Sequence, residues 1–477
     1  MKIVYGRTIV TMDQQRRVLD DAAVVVDEGR IVDVGPRSRI DVEHSDVAER
    51  IGGPSFAVIP GLVDAHGHAG HSLLKTLGAD RPDVWMDVVT PFYFARTTEE
   101  YWYLDGLLSA MDRLGNGVTT SVSVMGSRPR ADQTVFSAAH ARGYAEVGVA
   151  DVIGIGPSGN PLPHPTAVPD GDGWQSRTSS LADMIDVTEA VIRELDGTRD
   201  GLTRVFVTPF TIVPSLYPSG PSTPHRAVRL TDADRAHGAA VLDLARRTGT
   251  RIHSDAFGGH VRLALQDPDT AILGPHVHLQ HGVGLDAEEI TMLAATGTHF
   301  SHAPGGLVDV PSLMAQGVVV AATTDGSAPQ RPFDLLLAAR AVRDAHVVRE
   351  RDPYLLPPGK LLEMITVDAA RVLGMDDEIG SIEVGKRADL ALIDVESPHL
   401  TPWWMPVHRI VGQASGRDVH TVLVGGEVLL EAGVPTRVDA PAVVAEAQRV
   451  AVGHVVAAGL QSHLTEPGWG QVRRVFA

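Results

Sequence analysis

Asp64-Ala65-His66-Gly67-His68 follows an apolar run over residues 56–63. Residues two apart on an extended strand point to the same side, so His66 and His68 can both reach one metal ion. Imidazole suits zinc, iron, nickel or copper. Three further groups of this kind close apolar runs: His253 and Asp255 in Arg251-Ile252-His253-Ser254-Asp255, the histidines of His276-Val277-His278-Leu279-Gln280-His281, and Asp325 in Thr323-Thr324-Asp325-Gly326. An Asp that ends a buried strand is costly unless it is paired, hydrogen-bonded or metal-bound. Its bland alternative is the N-cap of a following helix. One His-x-His is common in loops; imidazole and carboxylate on four run ends in this order point to a bound cation.

Composition narrows the ways such a cation can be held. The 477 residues include no Cys, which excludes thiolate zinc sites, thiol nucleophiles and iron–sulfur clusters. The only lysines are Lys2, Lys75, Lys360 and Lys386, so lysine chemistry is absent between 75 and 360. A net charge of −18 disfavours nucleic acid and anionic membranes as partners. No apolar stretch is long enough for a membrane span, and the N-terminus lacks a signal-peptide core. The expected setting is the cytoplasm and the expected partner a small-molecule substrate.

The surrounding elements must present these groups together. Residues 1–57 read as short strands with a hairpin turn at Glu28-Gly29-Arg30, and residues 388–393 and 418–430 have the same texture, with Gly425-Gly426 as a tight turn. One small β-sandwich built from both termini, 1–57 plus 376–440, is expected. From 58 to 375 apolar strand-like runs alternate with helical segments near 99–114, 231–248 and 286–296. About eight such units fit a (β/α)8 TIM-like barrel of the α/β class, whose site lies at the C-terminal ends of its strands. The Gly- and Pro-rich stretch 154–180 is expected to be a long loop. Residues 441–477 form a tail whose helix, over 440–459, packs on the body or on a second copy, which suggests a homo-oligomer.

The order and context of these groups resemble the amidohydrolase superfamily, metal-dependent hydrolases on a (β/α)8 barrel with a terminal β-sandwich. The matching text is Val58-Ile59-Pro60-Gly61-Leu62-Val63-Asp64-Ala65-His66-Gly67-His68, Leu279-Gln280-His281-Gly282, LDAEEITMLAATGTHFSHAP, Thr324-Asp325-Gly326 and GSIEVGKRADL at 380–390. The resemblance spans nearly the whole chain and is nearest to the deaminase/chlorohydrolase-like and imidazolonepropionase-like branches. It implies one divalent metal ion, zinc with iron as the alternative, held by His66, His68, His253 and Asp325. It implies that His281 polarises the attacking water or the substrate and that Asp325 accepts the water's proton. Other branches bridge two metals with a carboxylated Lys at the fourth strand; residues 204–210 contain none, so a single-metal site is expected.

Two departures qualify the resemblance. The family's aminohydrolases place a Glu three residues after the fifth-strand His; here that residue is Ala256. Either His253 is the ligand and Asp255 contacts substrate or shuttles a proton, or Asp255 is itself the ligand. Many deaminase-like members have Pro-His at the fourth strand; Pro209-Phe210 makes that wall apolar, with Phe210 facing substrate. His302 matches a position near substrate, Trp85 is a candidate for the pocket wall, and His71 reads as a loop residue. The dinucleotide-like Gly154-Ile155-Gly156-Pro157-Ser158-Gly159 runs into prolines that cannot open a helix.

The resulting expectation is a mononuclear metal-dependent hydrolase of a non-peptide C–N bond in a small heterocycle, with deamination first. Ring opening of a cyclic amide, imidazolonepropionase-like, is the alternative that Ala256 favours. A catalytically inactive structural relative is the alternative of another class, and convergent buried His and Asp argue against it.

Overall fold

The computed structural model describes residues 1–79, 84–85, 89–171, 173–216, 229–305 and 308–464. Four strands come first: β1 (Lys2–Val10), β2 (Val18–Asp27), β3 (Arg30–Pro36) and β4 (Arg50–Pro60). Then come β5 (Leu62–Asp64), the short β6 (His68–Ala69), β7 (Val118–Met125), β8 (Ala150–Ile155), β9 (His164–Asp170), β10 (Gly173–Ser179), β11 (Thr203–Val207), β12 (Ile252–Ala256), β13 (Val277–His281), β14 (His299–His302) and β15 (Val320–Ala322). The last are β16 (Leu390–Asp394), β17 (Val419–Val424), β18 (Glu427–Glu431) and β19 (Val434–Pro435).

The first and last groups form one eight-stranded sheet in the order β19-β18-β17-β16-β4-β1-β2-β3. This is the small β-sandwich domain built from both termini. Side chains alternate faces along each strand. Ile3 and Tyr5 of β1 face Ile40 of the helix Arg37–Glu43, while Val4 and Ile9 join Val58, Leu390 and Leu392 in a second cluster. Both sequence-expected turns fall in place, at 28–29 between β2 and β3 and at 425–426 between β17 and β18.

The middle of the chain forms the barrel. Parallel strands run β5, β7, β8, β11, β12, β13, β14, β15, with β6 also paired to β7. The ring closes through the site itself: Asp325 N donates to His66 O at 3.2 Å, and Gly67 bridges Asp325 in parallel register. At the base, the helix Val367–Leu373 shares an apolar cluster with Val63, Val122, Val152, Phe206 and Ala321. The helix expected near 231 begins at a capping box in which Thr231 and Asp234 satisfy each other's backbone N–H.

The stretch 154–180 is not simply a long loop. Its second half is an antiparallel hairpin, with Trp174 opposite Pro169 and Thr178 opposite Pro165. Pro lacks a donor and interrupts central strands, but a two-stranded ribbon has a free edge on each strand and tolerates it. The tail helix, Ala440–Ala457, packs on the helix Glu99–Gly115 of the same chain, where His454 Nε2 meets Thr98 Oγ1 at 3.2 Å and Arg449 pairs with Glu100 at 3.0 Å. Residues 465–477 of the expected tail lie outside the described residues.

Candidate active site

The strand ends converge as a parallel barrel requires. Asp64 ends β5, two residues before His66, and His68 begins β6; His253 and Asp255 lie on β12, His281 ends β13, and Asp325 follows β15. Asp325 Oδ1 lies 3.1 Å from His68 Nε2 and 3.3 Å from His66 Nε2. His66 Nδ1 is 2.7 Å from His253 Nε2. Facing this group, His281 Nε2 lies 3.6 Å from Asp255 Oδ1. Ligand atoms of His66, His68 and Asp325 come within 4.8 Å of one another, and so do those of His66, Asp255 and His281. His281 and Asp325 both take positive φ, 74° and 64°, backbone conformations that are strained for non-glycine residues.

These side chains fit a cation. His68 Nδ1 donates to Gly126 O at 2.7 Å and His253 Nδ1 donates to His278 O at 3.2 Å, so each ring presents Nε2 with its lone pair toward the cluster. His66 Nε2 is buried and makes no hydrogen bond. Burial holds His66 well below the usual imidazole range and His253 down to about 3, so both are neutral donors near pH 7. Burial acts to lower His68 as well, but the charges of Asp325 and Asp255 outweigh it and raise the ring. For Asp325, burial works upward; the charge of Arg331 and the close approach of the His66 and His68 rings prevail and hold the carboxyl well below the usual range. Asp255 is pushed up by burial, against the opposing influence of His281.

The other expected residues fall around this centre. Phe210 lines a small cleft with His68, Thr208, Pro209, His253 and Asp255. Trp85 stands edge-on to His71, with ring centroids 5.1 Å apart. His302 is buried at the end of β14 with its ring against His346, 5.8 Å between centroids. Ala256 is fully buried in the apolar core.

Four contributors escaped the sequence reading. His71 is no loosely held loop residue: it is buried and stacks on His68 at 4.7 Å, with its Nε2 3.3 Å from Ser127 Oγ. Arg331 places Nη1 2.5 Å from Asp325 Oδ2. Asp64 accepts Thr324 N at 3.1 Å and Thr324 Oγ1 at 2.5 Å, and Arg113 Nε lies 3.7 Å behind it. A signal for Arg113 existed. Asp105, Ser109 and Arg113 recur every four residues on a helix whose other positions are half Leu, Ala, Met and Trp, with two Tyr besides, and a helix apolar on so many sides is buried along with its polar stripe.

The sequence model of the amidohydrolase family matches residues 57–429. The chain is 28% identical to a 5-methylthioadenosine/S-adenosylhomocysteine deaminase of Syntrophobacter fumaroxidans, over 89% of this chain and 91% of that one. It is 26% identical to a 5'-deoxyadenosine deaminase of Methanobrevibacter smithii, over 87% and 90%. Among solved structures, an adenosine deaminase of Xanthomonas campestris with bound zinc superposes with a TM-score of 0.79 at 22% identity, covering 95% of this chain and 98% of that one. A mutant atrazine chlorohydrolase of Arthrobacter aurescens, complexed with zinc and atraton, gives 0.74 at 20% identity, covering 94% and 100%.

Proposed function

The chain belongs to the amidohydrolase family and is a hydrolytic enzyme acting on C–N bonds; from that premise we propose that it is a single-metal aminohydrolase that releases ammonia from the adenine ring of a 5'-modified adenosine. The observation that carries this reading is the buried convergence of His66, His68, His253 and Asp325 opposite His281 and Asp255. When bound by the first four side chains, zinc supplies a Lewis-acid centre that makes water a nucleophile near neutral pH. No Lys is available at residues 204–210 to bridge a second metal.

In this reading the attacking water gives its proton to Asp325 Oδ2 after Arg331 moves off that oxygen. His281 Nε2 donates to the charge that develops on the substrate. Asp255 lies 3.6 Å from His281, and its carboxyl is biased toward the protonated form by burial. It therefore occupies the role left open by Ala256, delivering a proton to the departing ammonia. Water adds at the amino-bearing carbon, the C–N bond breaks, and an oxo group and ammonia result. Phe210, Trp85 and His302 would contact the substrate ring, Phe210 from the cleft it shares with His68, His253 and Asp255.

We further propose three units, 1–57 plus 376–440, 58–375 and 441–477, with β4 crossing the first junction. The protein would act in the cytoplasm on small molecules, as a homo-oligomer without nucleic-acid or membrane partners. No described helix is long and apolar enough to cross a membrane. One observation favours a second reading, ring opening of a cyclic amide: the acidic side chain expected beside His253 is replaced by Ala256.

Ammonia release separates the two. Purified enzyme is expected to liberate ammonia from methylthioadenosine, 5'-deoxyadenosine or S-adenosylhomocysteine, with zinc near one equivalent per chain. Silence on all adenosines with turnover of a cyclic amide would establish the second reading, and two equivalents of metal would refute the single-metal site.

A further inference from the structure

Behind the proposed metal ligands lies a polar network that the proposed reaction does not use. The helix Glu99–Gly115 contributes Asp105 and Arg113, and the helix Thr134–Val147 contributes His140 and Tyr144; all four are fully buried. Asp105 accepts the backbone N–H of Gly70 at 2.6 Å and of Ser72 at 2.9 Å, which fixes the turn immediately after His68. His140 stands between Asp105 and Asp151, with ring nitrogens 3.4 and 3.6 Å from their carboxylates. Tyr144 accepts from Arg113 Nη1 at 2.9 Å and contacts Ser121 Oγ at 3.1 Å.

Arg113 then connects to the other side of the site. Its Nε lies 3.7 Å from Asp64 Oδ2, and Asp64 holds both the N–H and the hydroxyl of Thr324, the residue before Asp325. Its Nη2 fills the space beneath Gly67, where a Cβ would meet that nitrogen at 2.2 Å. Nε and Nη2 are buried without hydrogen-bond partners, and the guanidinium lies 3.7 Å from the Phe333 ring centroid. A buried cation with unspent donors is costly, and apolar residues of similar volume would fill the same space without that cost. The arrangement makes sense where the cation and its carboxylates fix the separation of two backbone turns.

We propose that Arg113, Tyr144, His140, Asp105 and Asp64 are positioning residues: one buried network that fastens the turn bearing His66 and His68 to the turn bearing Asp325 and so sets the bite of the metal site. The proposal rests on the single-metal reading above. Outer partners of metal ligands typically account for about ten- to a hundredfold in metal affinity.

The test uses Tyr144→Phe and Thr324→Val, each of which removes one hydroxyl from the network and leaves every ligand in place. Each variant is expected to lose zinc to a chelator about tenfold faster or more than the parent. The visible spectrum of the cobalt-substituted protein should shift, kcat should fall with KM held, and the metal-free unfolding midpoint should stay near the parent's. Arg113→Lys should retain zinc better than Arg113→Met; if either fails to fold, the hydroxyl variants decide. Parental zinc retention and cobalt spectra in both hydroxyl variants would overturn the proposal, as would zinc loss that only tracks a lowered metal-free midpoint. His66→Ala and Asp325→Ala separate the two claims. If these keep zinc, the metal-site reading fails; if they lose it while the hydroxyl variants keep it, only the network fails.

Discussion

Two clusters in this chain are made from the same side-chain types. On the outer sheet, Asp33, Glu43 and His44 bring ligand atoms within 4.8 Å of one another, as His66, His68 and Asp325 do in the barrel. Each cluster also has an Arg on a carboxylate: Arg39 grips both oxygens of Asp33 at 2.7 and 2.8 Å, and Arg331 reaches Asp325 Oδ2 at 2.5 Å. The outer groups lie within a dozen residues of chain, on a strand and the helix after it, and Glu43 is half-exposed. Arg39 occupies both Asp33 oxygens and also pairs with Glu43, so this cluster is a neutralised surface ion pair. The barrel groups span more than 250 residues of the sequence, are buried, and leave His66 Nε2 without a hydrogen bond. Proximity of donors is therefore a poor mark of a site. Burial that leaves donor atoms without partners is a better one.

The largest expected difference between the clusters is in turnover. Asp325→Asn should lower kcat by about 10²–10⁴-fold in an ammonia-release assay, while Asp33→Asn should leave it unchanged. Comparable losses in the two variants would break the contrast.

Acid sensitivity comes next, read on the metal-free protein by denaturant unfolding at a series of pH values. Burial in the barrel holds His237 down to about 4 and His260 down to about 3, against an ordinary value of 6.5. Between those values the unfolded chain binds protons that the folded chain refuses, so their contribution is full above pH 6.5 and drains away as pH falls toward 4 and 3. His237→Gln should flatten that slope by on the order of 2 kcal/mol. Asp33 is held at about 2 by its hydrogen bonds to Arg39. Its contribution is present above about pH 4 and is lost only as pH falls through 2, and solvent screening keeps it below about 1 kcal/mol. A variant of Asp33 that flattened the slope near pH 6 would contradict this division.

The smallest expected effect belongs to Arg39→Met. It should move the unfolding midpoint least and leave both kcat and bound zinc at parental values; a drop in zinc content would tie the outer sheet to the site.

The sequence carried the parts of this contrast that depend on type and period. His66 and His68 two apart, His253 and Asp255 two apart, and Asp325 at the close of an apolar run were legible because a parallel barrel converts strand ends into neighbours. Arg113, His140 and Tyr144 were harder to see. Their four-residue spacing resembles a solvated helix face, and only the apolar residues around them reveal that the face is inward. Arg331 lies six residues beyond Asp325, and nothing periodic links the two. The β9–β10 hairpin was hidden by prolines at positions 165 and 169, which read as loop until a partner strand with a free edge is known.

The order of strands in the outer sheet bears on how the protein is made. β4 lies between β1, some fifty residues before it, and β16, more than three hundred residues after it. During synthesis its second edge stays unpaired until the ribosome has passed the whole barrel, and β5 begins two residues beyond its end. The turn bearing His66 and His68 is thus tethered to a strand whose last partner arrives late. Pairings this distant in sequence are slow to form and leave edges open in the meantime. The emerging chain has its earliest proposed ligands before it has the frame that steadies them, and a nascent polypeptide halted before β16 would offer a metal ion an unfinished cradle.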